Sequence, residues 1–126
     1  MEKKMKDQEA QAQEVIAEPS YRAVYKYAPI SAQKVRAFAN LIRGKSAGEA
    51  AVLLACYPNR GARMLEKTLK SAIGNADDLG APEAVELTVA EVRVDEGPMR
   101  RRWRAGSRGA SVITKRRSSH ISVVLQ

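Results

Sequence analysis

The sequence predicts an α+β domain from which a long β-hairpin projects. Apolar and polar residues alternate near both ends of the chain, which is typical of half-buried strands. Between residues 31 and 78 the apolar residues instead recur every three or four positions, which is typical of helices packed on a core. A block of cations lies between two of the strand-like stretches. Strands on both sides of such a block predict a hairpin that extends beyond the core.

Residues 21–28, YRAVYKYA, are predicted to form the first strand. Three tyrosines and an alanine occupy its odd-numbered positions, whereas Arg22 and Lys26 lie on the other side. Pro29 follows directly. Because proline lacks a backbone N–H, it ends the predicted strand.

Three helices are predicted next. Ser31, Ser46 and Asn59 stand at N-cap positions, Glu49 completes a capping box with Ser46, and Gly44 is placed as a helix C-terminal glycine. The apolar stripes, which are the predicted core, are Val35, Phe38, Ala39 and Ile42 in the first helix, Ala50, Ala51, Leu53 and Leu54 in the second, and Leu65, Leu69, Ala72, Ile73 and Ala76 in the third.

From residue 84 onward the period changes to two, which predicts strands. Val85, Leu87 and Val89 share one parity, whereas Val92 and Val94 have the other. Since a slip of one residue turns the side chains over, we expect a β-bulge or a sharp twist near Ala90. Residues 120–125 alternate in the same way and predict a final core strand.

The net charge of the chain is concentrated in residues 99–117, MRRRWRAGSRGASVITKRR. This basic block contains no acidic residue and eight cations: Arg100, Arg101, Arg102, Arg104, Arg108, Lys115, Arg116 and Arg117. The whole chain has 22 Lys and Arg against 14 Asp and Glu, so the rest has 14 of each sign and sums to zero. A one-sign block made mostly of Arg is typical of a surface that binds a polyanion, because guanidinium groups grip phosphate with two hydrogen bonds.

The basic block also forms most of the predicted hairpin, which covers about residues 92–118. Residues 105–110 contain two glycines and no apolar pattern, and are predicted to form its loop. An arm of about 14 residues reaches roughly 45 Å at ~3.3 Å per residue. Because an isolated two-stranded ribbon is marginally stable in water, we expect the hairpin to become rigid when its partner surrounds it.

Length and composition are those of one domain with a short extension. Residues 1–20 offer no apolar face and are predicted to be the extension; residues 21–125 form the predicted domain. We recognise no membrane span and no secretory signal, so a membrane is not an expected partner. The single cysteine, Cys56, fits a reducing compartment and is predicted to be buried on an apolar helix face. The only histidine, His120, is predicted to make a structural hydrogen bond rather than to bind zinc.

Five motifs stand in an order and spacing that are specific for one family: ISAQKVR (30–36), LIRGK (41–45), LKSAIGNA (69–76), VDEGPM (94–99) and SSHISVV (118–124). From about Tyr21 to Leu125 the chain resembles the bacterial form of the large ribosomal subunit protein twenty-two family. The resemblance implies three helices packed on a small antiparallel sheet, with a long protruding β-hairpin that threads ribosomal RNA. It also implies RNA binding early in subunit assembly, neighbouring large-subunit proteins as partners, and a cytoplasmic location in the ribosome.

The same resemblance implies which residues meet RNA. In the body of the domain these are Ser31, Gln33, Lys34, Arg36, Arg43 and Lys45. In the hairpin they are the eight cations of the basic block. The hairpin tip, Trp103, Arg104, Gly106, Ser107 and Arg108, is expected to line the nascent-peptide exit tunnel, so the nascent peptide is an expected partner. For Trp103 three positions stay open: stacked on a base, facing the tunnel lumen, or resting on the opposite arm.

The residues alone leave two other functions open. A free-standing DNA-binding protein can also read its target with an Arg-rich β-ribbon, usually as a two-fold dimer. Asp77-Asp78 and Asp95-Glu96 are paired acids of the kind that a metal-dependent nuclease requires, although adjacent side chains diverge. We recognise no phosphate-cradling glycine loop and no Ser-His-Asp set. We therefore expect a structural RNA-binding protein with no enzymatic activity, metal site or cofactor.

Overall fold

Five strands and three helices make up the part of the chain that the computed structural model describes, residues 20–126. The strands are β1 Tyr21–Ala28, β2 Val89–Glu96, β3 Arg100–Ala105, β4 Ser111–Arg116 and β5 Ser119–Leu125. The helices are α1 Ala32–Ile42, α2 Ala47–Cys56 and α3 Arg60–Asp78. This order confirms the predicted α+β class. The predicted N-terminal extension lies outside the described residues, apart from residue 20.

The predicted stripes of the helices form the core. In α1 the buried residues are Ala32, Val35, Ala39 and Ile42, and in α3 they include Leu65, Leu69, Ala72 and Ala76. Helix α1 ends as predicted, with Gly44 in the left-handed region at φ +78°. The hydroxyl of Ser46 accepts a hydrogen bond from the N–H of Glu49 at 3.3 Å, which confirms the cap predicted for α2.

Strand β5 is the centre of a three-stranded antiparallel sheet, between β1 and β2. Its residues Ile121, Val123 and Leu125 are completely buried and belong to the same apolar cluster as the helix stripes. The core therefore lies between the helices and one face of this sheet. The other face carries exposed polar residues such as Arg22 and Arg93.

Two irregularities interrupt the edges of this sheet. Val89 pairs with Leu125 and Glu91 pairs with Val124, so Ala90 is the extra residue of a bulge at the predicted position. In β1 the register shifts between Tyr25 and Ala28, where Tyr27 has φ 58°. There the N–H of Tyr27 donates to Nδ1 of His120 at 3.0 Å, which confirms the structural hydrogen bond predicted for the histidine.

Two predictions about the body are wrong. Residues 84–87 do not continue a strand. The carbonyl groups of Leu87 and Val85 instead accept hydrogen bonds from the N–H groups of Ala47 and Gly48, at 2.8 and 2.9 Å. These bonds satisfy donors of the first turn of α2, which have no partner within the helix. Cys56 is exposed rather than buried, because it lies at the C-terminal end of α2, away from the core.

The hairpin continues from the sheet through a short break. β3 and β4 form a separate two-stranded sheet, here called the ribbon (residues 100–116), and all twelve of its strand residues are exposed. At the break, the N–H of Gly97 donates to the carbonyl of Ser118 at 2.9 Å, and the hydroxyl of Ser118 donates to that of Pro98 at 2.7 Å. The protruding hairpin is thus confirmed. Among the helices of the described part, none is long and apolar enough to cross a membrane.

Candidate nucleic-acid interface

The pairing register gives the ribbon two chemically different faces. Residues paired directly across the strands point to the same side, and neighbours along a strand point to opposite sides. One side, here called the arginine face, carries Arg100, Arg102, Arg104, Val112, Thr114 and Arg116. The other side, here called the tryptophan face, carries Arg101, Trp103, Ala105, Ser111, Ile113 and Lys115.

No acidic side chain in residues 20–126 neutralises the ribbon. The two ion pairs found in this range join Lys70 to Glu66 and Arg93 to Glu91, both outside the basic block. The hydrogen bond to Glu91, together with the negative charge of that carboxylate, raises the pKa of Arg93. The body thus pairs some of its own charges, whereas the eight exposed cations of the basic block have no acidic partner within the described residues.

Trp103 lies opposite Ile113 in the ribbon but remains 70% exposed. The facing isoleucine is itself 42% exposed, so the two side chains shield each other only in part. Arg101 and Lys115 form the next pair on the same face. The tryptophan face therefore offers a largely free indole ring beside two cations, which is the combination that base stacking next to a phosphate requires.

The tip is a tight turn, as predicted for residues 105–110. The N–H of Gly106 donates to the carbonyl of Ala110 at 2.7 Å, and a 3-10 turn covers Ser107–Gly109. Arg108 and Gly109 have φ +56° and +74°. A Cβ atom on Gly106 would lie 2.9 Å from the carbonyl oxygen of Ala110, so the turn closes only with glycine at this position. Ser107 and Arg108 stand exposed at the apex.

The site residues predicted in the body fall into two groups. Gln33, Lys34 and Lys45 are exposed and Ser31 is half-buried. Ser31 is the N-cap residue of α1 by its backbone, but its side chain makes no capping hydrogen bond. Gln33, Lys34 and Ser31 line a groove between the start of α1, the start of α3 and the end of the ribbon. Lys45 is not part of it and follows the C-terminal end of α1.

Arg36 and Arg43 form the second group, because their side chains bind strand β2. Nε and Nη2 of Arg36 both donate to the carbonyl of Val94 at 3.2 Å, and Nη2 of Arg43 donates to that of Val92 at 2.8 Å. Within the described residues β2 is an edge strand, so these carbonyls would otherwise lack a partner in the sheet. The two arginines therefore hold α1 on the sheet edge, a role that the sequence did not indicate.

Arg60 is a candidate site residue that sequence reasoning missed. It is the first residue of α3, exposed, and lines the groove together with Lys34 and the end of β4. A cation in the first turn of a helix opposes the helix dipole, which favours anions there. In the sequence, an arginine directly after the N-cap residue Asn59 could have indicated that an anion binds there.

The paired acids do not form a metal site in the described part of the chain. Asp77 and Asp78 lie exposed at the end of α3, and Asp95 and Glu96 lie exposed at the end of β2. Within residues 20–126 no three His, Cys, Asp or Glu side chains are grouped so that they could hold a metal ion. The acids are therefore placed as solvated ends of a helix and a strand.

This geometry agrees with the comparison with known proteins. Residues 23–126 match the family model described as ribosomal protein L22p/L17e. The chain belongs to this family. A large ribosomal subunit protein uL22 from Rhodopirellula baltica is 50% identical over 110 residues, which cover 83% of this chain and 92% of that protein. The proteins of the same name from Akkermansia muciniphila and Methylacidiphilum infernorum are 45% and 46% identical over 104 residues, which cover 82% of this chain and 93% and 91% of theirs.

Membership of the L22p/L17e family confirms the resemblance found in the sequence. It makes the chain a ribosomal protein, so that it acts as a structural component of the ribosome. The matched range contains the helices of the body, its sheet except for the first two residues of β1, and the whole ribbon. The ribbon is thus part of the family's structure, rather than an addition to it.

Proposed function

We propose that this chain is a structural constituent of the large ribosomal subunit and binds large-subunit ribosomal RNA through its ribbon. The observation that carries the proposal is the segregation of charge. Eight exposed cations occupy residues 100–117, and no acid of the described residues pairs with any of them. A folded RNA supplies the density of phosphate groups that such a surface requires.

Phosphate contacts supply most of the affinity in this proposal. If all eight cations meet phosphates, the logarithm of the association constant falls by about 6–7 per decade of salt, at roughly 0.7–0.9 per contact. Specificity comes from the shape of the RNA, because side chains cannot enter the narrow major groove of an A-form helix. A ribbon embedded between RNA segments reads that shape directly.

The finer parts of the proposal follow the family resemblance. The domain covers residues 21–125 and its hairpin residues 92–118. The tip residues Trp103, Arg104, Gly106, Ser107 and Arg108 line the exit tunnel, where they meet the nascent peptide. The protein binds early in subunit assembly, next to other large-subunit proteins in cytoplasmic ribosomes. The relatives are named as proteins of the large ribosomal subunit, which supports the assignment to that subunit.

Arg36 and Arg43 enter the RNA interface in a restricted way. Nη1 of Arg36 and Nε of Arg43 are the guanidinium nitrogens that make none of the hydrogen bonds found in residues 20–126. While the contacts to β2 are kept, RNA can use these nitrogens and the second N–H of each Nη2, so each side chain offers fewer donors than a free arginine. Their contribution to affinity is therefore smaller than that of the ribbon arginines.

Competition between nucleic acids tests the proposal. A labelled large-subunit RNA fragment is bound to the full chain and displaced with unlabelled fragment or with duplex DNA of equal length. We expect displacement by the RNA at a concentration at least tenfold lower, and co-sedimentation of the chain with large subunits until high salt releases it. Equal displacement by duplex DNA, together with a two-fold dimer in solution, would instead support a DNA-binding ribbon.

A further inference from the structure

The end of the body opposite the ribbon exposes large apolar side chains. The ribbon follows the end of β2 and precedes β5, whereas residues 79–88 lead from α3 to the start of β2. At this opposite end Leu79 is 73% exposed, Val52 66% and Val85 57%, and they are three of the five most exposed large apolar residues in the range 20–126. Single exposed apolar side chains are normal on a protein surface, so their arrangement decides what they mean.

Two of these side chains belong to one continuous apolar surface on helix α2. The buried residues of α2 turn to the core, whereas Gly48, Val52 and Cys56 follow one another at intervals of four and share the outer side. Val85 continues this side, since its Cγ1 lies 2.8 Å from where a Cβ atom on Gly48 would stand. Glu49 is the only charged residue of the helix. The outer side of a surface helix is normally polar, so this apolar one indicates a docking surface.

Unpaired acidic side chains border this apolar surface. Glu49 stands in the first turn of α2, and Glu83 and Glu86 lie on either side of Val85 in the chain. All three are exposed and take no part in the ion pairs found in residues 20–126. Residues 71–92 contain no Lys or Arg, so the chain around Glu83 and Glu86 is purely acidic. The sign is opposite to that of the ribbon, so this end of the body repels the phosphates of a nucleic acid.

We propose that this surface, here called the distal face (Glu49, Val52, Glu83, Val85 and Glu86), binds a segment of another protein that is rich in Lys and Arg and carries apolar side chains. The cations of such a segment pair with the glutamates, and an apolar side chain of the segment packs against Val52 and Val85. The inference rests on the proposed function, because it gives the place and the chemistry of a contact with a neighbouring large-subunit protein.

Charge and position disfavour the other occupants from this chain. Residues 1–19 contain five acids and three lysines, so the glutamates of the distal face repel them. A second copy of the chain, with its own net charge of +8, is repelled as a whole. Its one cationic segment with exposed apolar side chains is the ribbon, which RNA occupies in the proposed function.

The distal face and the ribbon are far enough apart to be occupied together. Strand β2 lies between them with eight residues, or roughly 25 Å at ~3.3 Å per residue. RNA at one end of the chain and a basic protein segment at the other therefore do not compete for the same surface.

Fluorescence anisotropy of a labelled peptide tests the distal face in the full chain. The probe is a peptide in which lysine and leucine alternate, and a peptide of lysine and serine is its control. The variant Val52→Ser/Glu86→Gln removes one apolar and one acidic group of the face, whereas the matched control Val24→Ser/Asp95→Asn removes the same kinds of group from the open side of the sheet. All four residues are exposed, so the fold is maintained. We expect the first variant to raise the dissociation constant of the lysine–leucine peptide about tenfold, and the control variant by less than about twofold.

A photoreactive group identifies the occupant in the assembled particle. Large subunits are isolated from cells whose chain carries p-benzoylphenylalanine in place of Val52, and are then irradiated. We expect a crosslink to a Lys- and Arg-rich peptide of another large-subunit protein, identified by mass spectrometry. Crosslinks to RNA alone, to a second copy of this chain or to its residues 1–19 would each overturn the assignment, and so would the absence of any crosslink.

The distal face and the proposed function fail separately in these experiments. A parent that binds the RNA fragment and co-sediments with large subunits, but binds both peptides equally or is unaffected by Val52→Ser/Glu86→Gln, would overturn the distal face and leave the proposed function intact. A chain that never enters large subunits would overturn the proposed function and, with it, the partner assigned to the distal face.

Discussion

The break between sheet and ribbon makes the substitution Gly97→Ala a sharp test of the structure. A Cβ atom at Gly97 would lie 2.5 Å from Oγ of Ser118, 3.2 Å from the carbonyl carbon of Ser118 and 3.3 Å from Nε2 of His120. The first distance is far too short for a non-bonded contact, and the second involves backbone, which moves less easily than a side chain. The alanine therefore forces a local rearrangement.

The structure indicates the size of this effect. If the Ser118 side chain turns away, its 2.7 Å hydrogen bond to the carbonyl of Pro98 is lost. If the backbone moves, the 2.9 Å hydrogen bond from Gly97 to Ser118 is lost instead. Either loss, with residual strain, costs about 1–3 kcal/mol of unfolding free energy. At about 4–5 °C per kcal/mol, the melting temperature falls by roughly 4–15 °C.

The matched control is Gly74→Ala, the same chemical change inside α3. A Cβ atom at Gly74 meets nothing within 4 Å, and alanine is the better helix former by ~1 kcal/mol, so this variant is expected to be stabilised. Urea and thermal unfolding of both variants give the comparison. Adding Ser118→Ala to Gly97→Ala removes the nearest atom, so we expect the pair to be less destabilised than the sum of the single changes. A Gly97→Ala protein as stable as the parent would refute this packing at the break.

Three further predictions concern contacts in the body. Arg43→Ala removes the donor to the carbonyl of Val92 at the sheet edge, and we expect it to lower the free energy of urea unfolding by about 1 kcal/mol. The exposed control Arg22→Ala should change that free energy by less than ~0.5 kcal/mol. Equal effects of the two substitutions would contradict the role of Arg43. His120→Phe keeps the aromatic contact with the Tyr27 ring but removes the acceptor of the Tyr27 N–H, so we expect the free energy of unfolding to fall by ~1 kcal/mol. An unchanged melting temperature would exclude a stabilising role for this hydrogen bond. Cys56 is exposed and should react fully with a thiol reagent in the folded protein, whereas reaction only after unfolding would show it to be buried.

The sequence predicted the elements whose signals are local. The stripes of α1 and α3 and the bulge at Ala90 follow from spacing along the chain, because a change of phase in an alternating pattern must be absorbed somewhere. Residues 84–87 were predicted wrongly for the same reason. Val85 and Leu87 alternate like a strand, although Val85 is 57% exposed and both carbonyls accept hydrogen bonds from the start of α2. Alternation cannot show which partner receives the backbone hydrogen bonds.

The candidate site was predictable to a similar extent. The ribbon could be predicted because the eight cations of the basic block lie within nineteen consecutive residues and have strands on both sides. The position of Arg36 could not, because its acceptor, the carbonyl of Val94, lies 58 residues further along the chain. The groove depends on residues from three elements, so only the fold brings Arg60 beside Lys115–Arg117.

The salt dependence of RNA binding tests the central claim, that the affinity comes from the cationic ribbon of a chain whose remaining charges sum to zero. The ribbon variant changes the four arginines of the arginine face, Arg100, Arg102, Arg104 and Arg116, to glutamine, and the control variant does the same to Arg22, Lys26, Lys67 and Lys70. We expect the ribbon variant to lose about 3 of the salt slope, at roughly 0.7–0.9 per contact, and the control variant to lose less than ~1. Equal losses in the two variants would show that affinity follows net charge alone, and would contradict the claim.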